Sequence, residues 1–174
     1  ERVQEVEDKL ASLQKHPKYV EGKEGKLLKE IESLEKEGKK REVLSKYQEL
    51  EELYYQGGSI EKAADTISKS IELFEELGDE NSAGICMGNL AGVLLQLGYS
   101  GQPERFDKAE KYCKRALEII GAGKDKRRQS YLLGSLGNIY LHKKDLDKAW
   151  DNYNQSLGVM AELGDILGEA RGYS

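Results

Sequence analysis

Three stretches of the chain superimpose at spacings of 46 and 40 residues: Ile60-Glu61-Lys62-Ala63, Phe106-Asp107-Lys108-Ala109 and Leu146-Asp147-Lys148-Ala149. Sixteen residues beyond each closing alanine stands Asp79, Asp125 or Asp165, the first and last inside an identical Glu-Leu-Gly-Asp. A fixed period of this size describes stacked supersecondary units, none able to bury its apolar face alone. The architecture must therefore grow by addition rather than around one central core. Self-similarity constrains this chain more than any single residue does.

The periodicity within each copy is helical. Ala109, Cys113, Ala116, Leu117 and Ile120 form one apolar stripe. Ala149, Tyr153, Leu157 and Met160 form the next, and Ala63, Ile67, Ile71 and Phe74 the one before. Each has the spacing of a helix with one buried face. Pro17 and Pro103 fall between periodic segments, where a helix ends without losing a hydrogen bond. The spacing predicts helices over roughly 1–16, 19–37, 40–57, 60–77, 80–98, 104–120, 126–143, 146–163 and from 166 to the end. Glycines 38, 57, 58, 78, 98, 121, 123 and 164 are placed to close them. The segment 99–105 carries the six extra residues of the longer interval, as insertions in a repeat array go to loops.

Shifted by forty residues, Leu50, Leu53, Ile60, Ile67, Ile71 and Phe74 map onto Leu10, Leu13, Val20, Leu27, Ile31 and Leu34. Residues 1–39 therefore read as a degenerate first unit, with a two-stranded coiled coil as the alternative. Four more segments follow: 40–79, 80–125, 126–165 and the start of a further helix at 166–174. A chain that begins without methionine and stops inside a helical pattern is expected to be a piece of something longer.

Composition excludes more than it selects. Charged residues are 34% of the chain, yet net charge is only −5. Such interspersed charge favours neither nucleic acid nor an anionic membrane. The one basic cluster, Lys124–Arg128, falls where a loop enters a helix. Cys86 and Cys113 lack metal or disulfide spacing, and His16 and His142 are far apart. No metal or cofactor is expected, and the cysteines read as packing residues of a reducing, intracellular and cytoplasmic setting. No carboxylate pair stands out as an acid–base dyad, so the chain is not expected to be an enzyme.

Leu133-x-x-Leu136-Gly137-x-x-Tyr140 followed by Ala149-x-x-x-Tyr153 resembles the tetratricopeptide repeat (TPR). Earlier copies read Leu90-Ala91-x-x-Leu94 with Ala109-x-x-x-Cys113, and Leu50-Glu51-x-x-Tyr54 with Ala63-x-x-x-Ile67. Glu51 departs from the pattern by placing a carboxylate in the small-residue slot. Either that helix pair is spaced more widely or the side chain turns to solvent. Glu162-Leu163-Gly164-Asp165-Ile166-Leu167-Gly168-Glu169-Ala170-Arg171 is similar to the junction of a long-period TPR subclass. That subclass includes spindle-orientation G-protein-signalling adaptors, kinesin light chains and bacterial TPR regulators.

The resemblance implies an all-α, right-handed α-solenoid of stacked antiparallel helix hairpins. It also implies a concave groove that takes a peptide or helix of a protein partner. Groove positions would be Gln48, Glu52 and Tyr55, then Gly88, Gly92 and Gln96, then Tyr131, Gly134, Asn138, Leu141 and His142, with Arg171 opening the next unit. The lysines and arginines that the family uses to clamp chaperone tails are missing from the corresponding pairs Gln48/Glu52, Gly88/Gly92 and Gly134/Asn138. Three mid-helix glycines, Gly84, Gly88 and Gly92, recur every fourth residue at a cost of roughly 2–3 kcal/mol against alanine. Either close helix contact or ligand access to the backbone offsets that cost. The expected function is a non-catalytic scaffold or adaptor in protein–protein interaction. The alternatives are a sensor region of a larger enzyme or transcription regulator, and a self-assembling array joined through its C-terminal end.

Overall fold

The computed structural model describes residues 17–121 and 125–172, with side chains described over 20–121 and 125–164. Every regular element among them is a helix: α1 (Pro17–Lys36), α2 (Lys40–Gln56), α3 (Ile60–Glu76), α4 (Glu80–Tyr99), α5 (Arg105–Ile120), α6 (Lys126–His142) and α7 (Leu146–Gly172). The chain divides into two compact units at Gly78/Asp79. The expected helix 1–16, His16 and Gly123 lie outside the described residues.

In the first unit α1 packs on α2 and α2 on α3. Its core is Leu27, Ile31, Val43, Tyr47, Leu50, Leu53, Tyr54 and Ala63, with Val20, Leu34 and Leu73 at the margin. The residues of α1 that map onto later stripes thus face a neighbouring helix of their own chain. In the second unit the pairs α4–α5 and α6–α7 pack most extensively, joined by α5 on α6 and by a lighter contact of α4 with α6. Successive helices docking in chain order are the construction of an α-solenoid.

The turns repeat one backbone device. Gly38, Gly58 and Gly78 sit at φ +71°, +71° and +69°, a left-handed conformation that costs glycine nothing. Lys144 takes the equivalent position after α6 at φ 60°. Asp79 and Asp125 accept from the backbone N–H groups of Ser82 and Arg128, capping α4 and α6. The repeating aspartate is thus a helix start.

Two expected helix ends are corrected. Gly98 is not a cap but lies inside α4, where a β-carbon would sit 2.8 Å from the Phe106 ring. Gly164 closes nothing: α7 runs continuously to Gly172, and no separate helix begins at 166. A glycine permits the left-handed turn without forcing it. At Gly38 and Gly58 the turn is offset by a following helix that docks back on its predecessor.

The stripe expected on the last helix is also rotated. Ala149 and Val159 are buried and Tyr153 and Ser156 half-buried, whereas Leu157 and Met160 are exposed. Leu117 and Phe74 are half-buried at the edges of their stripes.

Candidate functional site

The first helices of the two complete hairpins in the second unit, α4 and α6, meet along a row of glycines. A β-carbon at Gly88 would contact Leu132 Cδ2 at 3.3 Å, and one at Gly92 would run into the Tyr131 hydroxyl. Gly84 lies against Ile119 of α5, whose Cγ2 is 2.7 Å from the same hypothetical position. The glycine row is therefore explained by helix contact. Gly88 is buried, and with it the idea of an open groove floor there gives way, because Leu132 already fills the space.

The remaining expected positions of this unit do share a face. Tyr131, Asn138, Leu141 and His142 are exposed along α6, and Gly134 and Gly92 are half-buried beside them. Gln96 is exposed on α4. Asn138 is oriented from below, since its Oδ1 accepts from the Tyr153 hydroxyl at 2.7 Å. That bond leaves the amide N–H groups to point elsewhere. The Tyr153 ring itself lies on Gly137, where a β-carbon would come within 2.6 Å of it. Gly137 and Tyr153 together set where Asn138 stands.

At the end of this face three rings gather. His142 stacks on Phe106 with centroids 4.2 Å apart, and Tyr99 approaches both, at 5.1 Å from His142 and 5.4 Å from Phe106. His142, expected to line the groove, is exposed in the last turn of α6, and sequence reasoning missed its aromatic partners. The signal was available: Tyr99 and Phe106 bracket the inserted loop.

In the first unit Gln48, Glu52 and Tyr55 are exposed on α2, and Gln56 donates to Glu52 at 2.7 Å. The side chain of Arg171 lies outside the described residues. This unit also holds a cleft of about 390 Å³ lined by Glu35, Lys40, Tyr47, Lys69, Glu72 and Glu76 among others. Tyr47 donates to Glu35 at 3.0 Å and Lys40 pairs with Glu76 at 3.0 Å. Burial, and then the bond to Glu35, push the Tyr47 hydroxyl up to about 12, so it stays a donor.

One polar device recurs in both units. Tyr54 of α2 donates to Glu24 of α1 at 2.8 Å, and Lys62 of α3 reaches the same carboxylate at 2.8 Å. Forty-residue logic places Tyr140 and Glu110 at equivalent positions, and they bond at 2.7 Å. Lys143 and Lys114 also bind Glu110, while Lys148 lies 5.3 Å from the Tyr140 ring centre, as Lys62 lies 5.4 Å from that of Tyr54. Burial raises the Glu110 carboxyl, but the bonds from Lys114, Lys143 and Tyr140 outweigh it and hold the group at about 2. These latches tie the second helix of one hairpin to the first helix of the next. Sequence reasoning did not find them, although tyrosine and glutamate recur at matched positions.

Among the described residues no group of three or more histidine, cysteine, aspartate or glutamate side chains is placed to hold a metal. Burial, and then Glu110, push the Cys113 thiol up to about 12, which keeps it from acting as a nucleophile. No helix of the described residues is long and apolar enough to cross a membrane.

Comparison with known proteins gives two informative likenesses. The chain is 30% identical over 120 residues to the 43 kDa receptor-associated protein of the synapse from Tetronarce californica. That match takes in 67% of this chain but only 28% of the relative. The crystal structure of BtubC (BKLC) from P. vanneervenii matches at a TM-score of 0.57 and 23% identity, covering 91% of this chain and 69% of that one. No family model matches. The all-helical structure with its successive helices packed in a row, together with these likenesses, shows an α-solenoid, and it fits a TPR-like repeat.

Proposed function

We propose that this chain is a non-catalytic interaction module whose exposed α4–α6 face captures a peptide or helical segment of a protein partner. The observation that carries the reading is the placement of Tyr131, Asn138, Leu141 and His142 on one exposed face, with Asn138 oriented by Tyr153. Aromatic and aliphatic side chains beside a fixed amide suit a bound segment, the rings supplying area and the amide a donor for its backbone carbonyl. A row free of lysine and arginine argues against a ligand held by its terminal carboxylate. The name of the synaptic relative, a receptor-associated protein, supports a role in holding proteins together. The Glu-Leu-Gly-Asp junctions keep the long-period TPR adaptors as the closest functional analogy.

Peptides selected by display on the whole chain test the proposal. Binding should fall about tenfold or more in Tyr131→Ala and Asn138→Ala, both at exposed positions. Selected peptides that bind both variants as they bind the parent would overturn the reading.

A further inference from the structure

The cleft of about 390 Å³ in the first unit carries charges that helix stacking does not require. A shift of 86 residues lays Glu24 and Tyr54 on Glu110 and Tyr140, and so compares this unit with the second. One ion pair of the lining belongs to the repeat, since Lys40–Glu76 at 3.0 Å returns as Lys126–Glu162 at 2.6 Å. The other polar groups do not return. Glu35, Tyr47, Lys69 and Glu72 fall on Gly121, Leu133, Gln155 and Gly158, none of them charged. Hairpins that stack with leucine and glycine at these positions leave four polar side chains around one cleft unexplained.

Three helices deliver the four groups: α1 gives Glu35, α2 gives Tyr47, and α3 gives Lys69 and Glu72. Tyr47 is only 6% exposed, and its hydroxyl donates to Glu35 Oε1 at 3.0 Å. That bond holds the Glu35 carboxylate in place and leaves Oε2 without a bond among the described residues. The charge of Glu72 acts on the same hydroxyl. Lys69 and Glu72 stand three residues apart on one helix, a spacing at which opposite charges can meet. Among the described residues, however, neither makes an ion pair. The uncommitted groups are thus two carboxylates and one ammonium. The whole lining sets Glu35, Glu72 and Glu76 against Lys40 and Lys69, a formal charge of −1.

We propose that this cleft binds a free basic amino acid, whose two cations and one carboxylate complement the uncommitted groups in number and sign. The short separation of Lys69 and Glu72 suits the carboxylate and ammonium carried on one α-carbon. Glu35, from another helix and fixed by Tyr47, meets the distant side-chain cation, and Leu73 lies beside the aliphatic stem. The site lies wholly within the first unit and is independent of the α4–α6 reading.

The probe is L-arginine, titrated calorimetrically into the whole chain. It should bind saturably at one site. Glu72→Gln and Lys69→Gln, both at exposed positions, should leave circular dichroism unchanged and weaken binding about tenfold or more each. Agmatine, which lacks the carboxylate, should bind the parent and Lys69→Gln alike. Citrulline, which lacks the side-chain charge, should be indifferent to Glu35→Gln. The proposal fails if neither L-arginine nor L-lysine binds saturably, or if the three variants bind them as the parent does. It also fails if N-acetyl-L-arginine binds as tightly as L-arginine. The α-ammonium would then go unread, and the end of a peptide would be the occupant.

Discussion

The two units use the same latch but pack their hairpins differently. In the second unit the small-residue slot holds Ala91 on α4 and Gly137 on α6, and both hairpins pack extensively. In the first unit Glu51 stands in that slot, and α2 and α3 share a lighter contact. Of the two ways to accommodate the carboxylate, wider spacing fits this lighter packing. Glu51 is half-buried, and burial followed by Glu52 raises its carboxyl above the usual range. The Tyr54–Glu24 and Tyr140–Glu110 bonds, in contrast, have the same geometry in both units. Helix approach within a hairpin therefore depends on the size of one side chain, whereas the tie between hairpins depends on polar groups that reach across either spacing.

Exchanging the slot residues should break the comparison most severely. Gly137→Glu forces a buried carboxylate against the Tyr153 ring, already within 2.6 Å of a hypothetical β-carbon. Overpacking and charge burial together should cost roughly 3 kcal/mol or more in urea unfolding. A loss under about 1 kcal/mol would mean that the slot does not set the spacing.

The latches come next. Glu110→Gln should cost on the order of 2 kcal/mol at pH 7, because Tyr140 and two lysines lose a charged acceptor. The folded carboxyl lies at about 2 against an ordinary 4.5, so its contribution is complete above 4.5 and disappears as the pH falls toward 2. The stability difference between parent and variant should accordingly close across that interval. Glu24, lowered through its bonds to Lys62 and Tyr54 against an opposing burial effect, should behave alike with a smaller amplitude. A pH-independent difference for Glu110→Gln would show that the latch is not electrostatic.

Smaller effects sharpen the contrast. Lys144→Gly should stabilise the second unit by up to about 1 kcal/mol, since Gly58 holds the same left-handed position in the first. An unchanged or lower melting temperature would show that Lys144 is held there by contacts of its own. Glu51→Gln should gain less than about 1 kcal/mol at pH 7, where the ionised group carries a burial cost. That gain should vanish as the pH falls through its raised folded pKa, because protonation then relieves the parent as well. A loss on substitution would assign Glu51 a favourable contact that burial alone does not describe.

Helix periodicity was legible because burial on one side imposes a 3.6-residue rhythm, and the stripes over α3 and α5 follow it closely. The candidate face on α6 was legible in part: Tyr131, Asn138, Leu141 and His142 are exposed together as the repeat register requires. Less legible were contacts between residues distant in the chain. The stacking of His142 on Phe106, and Leu132 over Gly88, depend on which rotamers fill the space between neighbouring helices.

By itself the sequence determined the repeat, its period, the helix starts at Asp79 and Asp125, and the slots that must be small or aromatic. These are local or periodic properties, written into every copy by backbone hydrogen bonding and by the spacing of apolar residues. Only the tertiary structure decided whether a glycine turns the chain. Gly58 does so and Gly164 does not, since the turn is taken where a docked helix offsets its cost. The tertiary structure also decided which face of α7 stays in water. Leu157 and Met160 read as core by spacing alone, yet a stripe is buried only when another helix lies against it.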